Sequence, residues 1–160
     1  MATADDVAAA ILERTGPTDT YKLQKLVYYC QAWHLVWEGT PLFPEPIEAW
    51  SGGPVVRVLY NRHSGSYSVS SWAAGNAAAL SRSERRTVET VVDSYGRLSG
   101  RQLSLLTHRE RPWRTARGNL APGVRGNAVI SWDEMKDYYS GLDEADDTTP
   151  IGDLTPESLD

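Results

Sequence analysis

The chain has 160 residues, 41% hydrophobic content and a formal net charge of −5, which suits one domain able to bury roughly 70% of the surface its unfolded form exposes. Its single cysteine, Cys30, excludes an intramolecular disulfide and a multi-cysteine zinc site. The charge is uneven: seven of the 21 acidic residues lie between Asp143 and Asp160, where there is no Lys or Arg, so residues 1–142 carry 14 acidic against 16 basic side chains, a net of +2.

Thr3 can cap a first helix, with Val7, Ala10 and Ile11 on one face, stopping near Gly16-Pro17. This start, MATADDVAAAILERTG, is acidic and weakly apolar, unlike a secretory leader, so a cytoplasmic location is expected. A second helix should run from Thr18 or Asp19 to Glu38 and end at Gly39. Leu23, Leu26, Val27, Cys30, Trp33 or His34, and Trp37 form one apolar stripe, and Tyr28, Leu35 and Val36 add a second, which marks a central helix. Its remaining polar residues, Lys22, Gln24, Lys25 and Gln31, are expected to share an accessible edge. Pro41, Pro44 and Pro46 enforce an extended connection, with a short strand at Ile47–Trp50. Pro54 is expected in the first turn of a short helix carrying Val55, Val58, Leu59 and Arg62 and ending between His63 and Gly65.

Tyr67, Val69 and Ser71 alternate with serines and suit either a short edge strand or a loop. Ser81 and Glu84 have capping-box spacing before a helix over Arg82–Arg97, and Ser99 can start another over Gly100–His108. Pro112 should open a turn through Arg117, followed by a glycine-rich loop over Gly118–Asn127 and a strand over Ala128–Ser131. Ser131 and Glu134 repeat the capping-box spacing ahead of Met135, Tyr138, Tyr139 and Leu142. The fold class is therefore mainly α: a compact single domain over residues 1–142, with six or seven helices and two or three short strand segments. Residues 143–160 read as an acidic, disordered tail.

Chemistry is sparse. Cys30 and His34 share a helical face at a spacing that suits two metal ligands, but no second pair accompanies them, so a buried structural pair is the expectation. No Gly-x-Ser-x-Gly elbow, phosphate-binding loop or His-Glu-x-x-His helix occurs. His108 and Glu110, within Leu106-Thr107-His108-Arg109-Glu110-Arg111-Pro112-Trp113, could serve acid–base chemistry, yet the same residues suit a helix–helix junction. Arg109, Arg111, Arg114, Arg117 and Arg125 concentrate positive charge in one region, which suits phosphates or an acidic protein segment, the chain's own tail included. Of the aromatic residues, Trp33, Trp37, Trp50 and Trp113 are expected in the structure's interior, with Tyr28, Trp72 and Tyr139 turned outward.

The stretch KLQKLVYYCQAWHLVWEGTPLFPEPIEAWSGGPVVRVLY, from Lys22 to Tyr60, and LTHRERPWRTAR, from Leu106 to Arg117, resemble the Panacea antitoxin domain, also described as SocA-like or as phage-associated GepA-like. Members similarly carry a Lys-Leu-x-Lys-Leu-x-Tyr-Tyr helix, a Pro-Ile-Glu-Ala-Trp segment, a Gly-Pro-Val turn and a Thr-His-x-Glu-x-Pro-Trp block. The resemblance implies a helical antitoxin, encoded in bacteria, phages or prophages, that neutralises a toxin by direct binding. Ser51 and Gly52-Gly53-Pro54 stand where the family pattern has a bulkier aromatic-Gly-Pro, and no DNA-binding domain is appended, which argues against autorepression by this chain alone.

The partner-binding candidates are Lys22, Lys25, Tyr28 and Gln31 on the second helix, Arg109, Arg111 and Arg114 at the arginine-rich junction, and Trp72 as an anchor. Leu23, Trp33, Trp50, Gly53, Pro54, His108, Glu110 and Trp113 are assigned to maintaining the fold. No catalytic residue, cofactor or metal is expected. The expected partner is a toxin protein from a neighbouring gene; a protease receiving the toxin and a second copy of the chain are further candidates, whereas membrane is not expected and nucleic acid is disfavoured.

Overall fold

The computed structural model describes residues 1–145, and the helices pack around the second of them. Helix α1 (Ala4–Thr15) begins at Thr3, whose hydroxyl accepts from Asp6 N while the Asp6 carboxylate accepts from Thr3 N. A two-residue strand β1 (Thr18–Asp19) leads into α2 (Thr20–Glu38), which is capped by Asp19 and stops at Gly39 in the left-handed conformation. An antiparallel pair follows, β2 (Glu48–Trp50) with β3 (Gly53–Val55), then α3 (Arg57–His63) and β4 (Ser68–Val69). A 3-10 turn (Ala77–Ala79) precedes α4 (Arg82–Tyr95), α5 (Gly100–Arg109), α6 (Arg111–Arg117) and α7 (Trp132–Ala145).

The mainly helical reading therefore holds, with seven helices among the described residues and four strands in two pairs rather than two or three segments. The Ser68–Val69 segment becomes a strand because Thr18–Asp19 pairs with it, a partner too short to show in the sequence pattern. Across Ala128–Ile130 the chain makes an isolated bridge, Glu48 with Val129, flanked by hydrogen bonds Ala49 N to Ala128 O and Ile130 N to Ile47 O. Pro54 does not open a helix. It lies in β3 opposite Ala49, and the helix waits until Arg57. Ser131 caps α7 by accepting from Glu134 N, but the Glu134 carboxylate goes to Arg111. Helix α7 continues through Ala145, past the expected boundary at 142; the expectation for the rest of the acidic tail lies outside the described residues.

The β2–β3 turn depends on two close approaches. Gly53 has φ +127°, and a Cβ there would stand 2.5 Å from Lys25 Cε. At Gly52 a Cβ would meet the Tyr21 hydroxyl at 2.7 Å, so the Tyr21 phenol fills the space beside the turn. Tyr21 Oη and Ser104 Oγ both lie within bonding range of Gly52 O, at 2.5 and 2.6 Å, which fastens the turn to α2 and α5.

Helix α2 is buried on every side from Leu23 to Leu35. Leu23, Leu26, Val27, Tyr28, Tyr29 and Cys30 are wholly inaccessible, and full burial of each large aliphatic side chain is worth about 2 kcal/mol. Its two glutamines are enclosed too, and the backbone of neighbouring segments satisfies them. Gln24 Oε1 accepts from Val56 N, and its amide donates to Val56 O and to His63 Nε2. Gln31 Oε1 accepts from Leu42 N while its amide donates to Phe43 O at 2.7 Å. The accessible polar edge expected from Gln24, Lys25 and Gln31 is therefore absent, because loops too irregular to pair among themselves close over these side chains.

This arrangement sets the cost of losing one glutamine. Gln31→Leu introduces an apolar side chain of similar size but strips partners from Leu42 N and Phe43 O, and is expected to destabilise the chain by about 2–4 kcal/mol. Urea unfolding measures it; a change below about 0.5 kcal/mol, the level of an ordinary surface substitution, would show that these groups find other partners.

Candidate functional site

The junction between α5 and α6 builds the most chemically distinctive region. Ser99 and Gln102 cap α5 reciprocally, and the helix ends at Arg109. Glu110, in extended backbone conformation, closes α5 and opens α6, while Pro112 occupies the first turn of α6, where its missing donor costs little. The helical register then distributes Arg111, Arg114 and Arg117 at intervals of three along α6.

The Glu110 carboxylate points inward. Its Oε1 accepts from Tyr29 Oη at 2.6 Å and from Tyr139 Oη at 2.8 Å, and Tyr28 Oη lies 3.0 Å from Tyr139 Oη. Burial pushes the Glu110 carboxyl from 4.5 up to about 7, with the two tyrosine hydroxyls opposing that rise. Tyr29 also stacks on Tyr95, centroids 4.1 Å apart, and Tyr95 Oη accepts from Trp33 Nε1. One carboxylate thus joins α2, α7 and the α5–α6 junction. His108 faces another way: its Nδ1 meets Ser104 O and its Nε2 lies 3.1 Å from Ser51 O, with the Trp113 ring 3.9 Å away between centroids.

Outside this junction lies an open groove of about 750 Å³, whose walls include His108, Arg111, Trp113, Arg114, Leu120 and Tyr138. Its cations differ in what holds them. Arg111 binds Glu134 and Asp137 and lies over the Tyr138 ring. Arg117 is buried and donates to the carbonyls of Ala49, Ala121 and Val124, which staples the 118–127 loop to β2. Arg114 is exposed and makes no ion pair among the described residues. Across Ser51 a second cleft, of about 510 Å³, carries Trp50, Arg57, Tyr60 and Arg125. There Arg57 pairs with Glu48 at 2.7 Å, which holds that carboxyl below its ordinary value, whereas Arg125 meets no carboxylate among the described residues. The two clefts give one basic face, with exposed Leu120 and Val124 on the loop beside it.

Arg109, Arg111 and Arg114 thus gather at this groove, but the other partner-binding candidates do not form a surface. Tyr28 and Gln31 are inaccessible, as is Lys25. Lys22 is half-buried and donates Nζ to Gly96 O. Trp72 is buried with Nε1 on Asp5 Oδ1 at 2.8 Å, because Asp5 turns inward to meet both it and Arg62. Tyr139 is buried in the carboxylate cluster, while Trp37, expected inside, is 38% exposed and stacks on Trp33. Among the residues assigned to the fold, Leu23 and Trp33 are buried, Gly53 and Pro54 form β3, and Trp113 Nε1 donates to Trp50 O. Tyr138, Ser51 and Leu120 were not singled out for the groove; Tyr138 carries a helical-spacing signal from α7, but neither Ser51 nor Leu120 has a sequence signal that would have placed it there.

Lys25 is unusual in another respect. Its Nζ has no hydrogen-bond partner and sits over the Tyr21 ring, 4.1 Å from the centroid. Desolvation pushes the amine from 10.5 down to about 7. Cys30 is also enclosed, which pushes its thiol up, and His34 Nδ1 lies 2.8 Å from Thr87 Oγ1. Among the described residues no group of three His, Cys, Asp or Glu side chains could hold a metal ion, and no helix is long and apolar enough to cross a membrane.

The family model described as antitoxin SocA-like, Panacea domain, matches residues 23–114, from the start of the α2 core to the middle of α6. The chain belongs to this family. No curated protein and no solved structure matches it. The matched segment of this Panacea domain holds the α2 helix, the β2–β3 turn and the Glu110 junction, while α7, which supplies Tyr139 to Glu110 and Tyr138 to the groove, lies beyond it.

Glu110 and Lys25, both buried, give opposite pH limbs. Glu110, with its folded-state value raised, contributes stability that is complete below about pH 4.5 and is lost as pH rises through about 7. Lys25, depressed, costs stability below about pH 7 and ceases to do so as pH climbs towards 10.5. Glu110→Gln should flatten the acid-to-neutral limb and Lys25→Met the alkaline one, each by on the order of 3 kcal/mol across its window. Urea unfolding at acid, neutral and alkaline pH measures both; parallel profiles for wild type and variants would contradict the assignments.

Proposed function

We propose that this Panacea-family chain is an antitoxin that neutralises a cognate toxin protein by direct contact, and that the basic groove beside α6 is its docking surface. The observation that carries this reading is the groove's combination of cationic and apolar walls. Arg114 and Arg125 are open to a partner's carboxylates, Arg117 adds charge from beneath, and Trp113, Tyr138 and Leu120 offer area that excludes water. The corresponding partner presents an acidic patch around an apolar centre, and the charges steer its approach.

A catalytic centre at His108 and Glu110 is less well supported. Glu110 gives its carboxylate to Tyr29 and Tyr139, whereas His108 meets the Ser51 and Ser104 carbonyls, so the two side chains serve different sides of the junction. The reading is therefore of a non-enzymatic, cytoplasmic binding protein whose toxin is encoded by a neighbouring gene.

Growth of cells expressing the neighbouring gene, with and without this chain, tests the proposal together with copurification. Rescue with a stable complex is the expected result. Arg114→Glu with Arg125→Glu should weaken the complex by about tenfold or more and abolish rescue while leaving the thermal midpoint and circular dichroism unchanged. Glu110→Gln, verified as folded, should still rescue. Rescue without a complex would instead indicate enzymatic reversal or proteolytic delivery.

A further inference from the structure

The groove's charge balance points to an occupant within the same chain. Among the described residues Arg114, Arg117 and Arg125 have no carboxylate partner, although Arg111 on the same helix has two. The carboxylates nearest to them are committed elsewhere or form no ion pair with them: Glu134 and Asp137 are held by Arg111 and Glu48 by Arg57, while Asp133, Asp143 and Glu144 of α7 pair with none of these three arginines. The sequence continues past α7 with Asp146, Asp147, Asp153, Glu157 and Asp160 and contains no Lys or Arg there. Ile151 and Leu154 stand between those acidic groups, matching the apolar walls at Trp113 and Leu120.

Distance permits the contact. Tyr138 is part of the groove wall, and Ala145, where α7 ends, is two helical turns further on, about 10 Å along the axis. Fifteen following residues can span up to about 50 Å, several times that separation. Short tethering also gives the acidic segment a high effective concentration at the groove, which a weak charge-driven contact needs.

We infer that the acidic segment from Asp146 to Asp160 occupies the basic groove of its own chain and is displaced from it by a binding partner. The displacement rests on the proposed docking role of the groove; the occupancy does not. The segment then shields the arginines from unrelated anionic partners, and a partner gains the groove only where its own acidic surface outcompetes the tethered one.

The full chain carries its own means of testing this. Cys30 is inaccessible, so Ser158→Cys provides a thiol that can be labelled selectively with a nitroxide. The label is expected to broaden the Trp113 indole N–H and the amides of Arg114 to Gly118 strongly, and those of α1 little. Broadening should be lost in about 1 M salt, where the screening length falls to about 3 Å, and in Arg114→Glu with Arg125→Glu. Absence of selective broadening at the groove, or its persistence in the arginine variant, would overturn the inference. Broadening that fades on dilution would also overturn it and assign the contact to a second copy. Because the measurement contains no toxin, it can fail while toxin neutralisation succeeds, and the reverse.

Discussion

Enclosing a helix on every side forces a decision on its polar side chains, and most of this structure follows from how α2 resolves it. A buried amide or hydroxyl without a partner costs more than its hydrogen bond returns when made. Gln24 and Gln31 therefore bind the backbone of the Val56 and Leu42–Phe43 segments, and Tyr29 binds Glu110. Those segments contain the prolines and short turns that prevent regular pairing. The helix supplies the hydrogen-bond partners that their backbone would otherwise lack.

Glu110 extends the same logic to the far side of α2. A carboxylate at the junction of two short helices would ordinarily face water, but Tyr29 and Tyr139 draw it inward. With Glu110 fixed, α5 and α6 meet at a defined angle, Pro112 follows in the first turn, and the next residues of α6 are aimed outward as the groove wall. The buried side of the junction is thus a scaffold, and the exposed side is a charged surface whose arginines differ in their commitments. Arg117 is occupied by three carbonyls and Arg111 by two carboxylates, whereas Arg114 stays open. The arginines that hold the fold are thus distinct from Arg114, which is exposed and makes no ion pair among the described residues.

Lys25 stands apart from this economy. Its amine is enclosed over Tyr21 with no hydrogen-bond partner, beside a glycine that leaves room for its stem. The charged form is disfavoured there, and that is the reason for its lowered proton affinity. The cost falls on the same α2 helix that the other polar side chains stabilise, at the place where the β2–β3 turn closes over it.

Local signals determined the helices. Thr3 with Asp6, Ser81 with Glu84, Ser99 with Gln102, and glycines at 16 and 39 fix their ends through contacts between residues a few positions apart, and the family text around α2 and the Pro-Trp block was legible for the same reason. The strand at β4 was ambiguous because its partner, Thr18–Asp19, is two residues long and lies about 50 positions earlier. The sequence by itself also determined that α2 is central, since its apolar residues cover more than one side. Only the tertiary structure decided that Lys25, Tyr28, Gln31 and Trp72 are inside. Periodicity records which face a residue shares, but whether that face meets water depends on loops arriving from 11 to 81 residues away, and their arrival is a property of the whole packed chain.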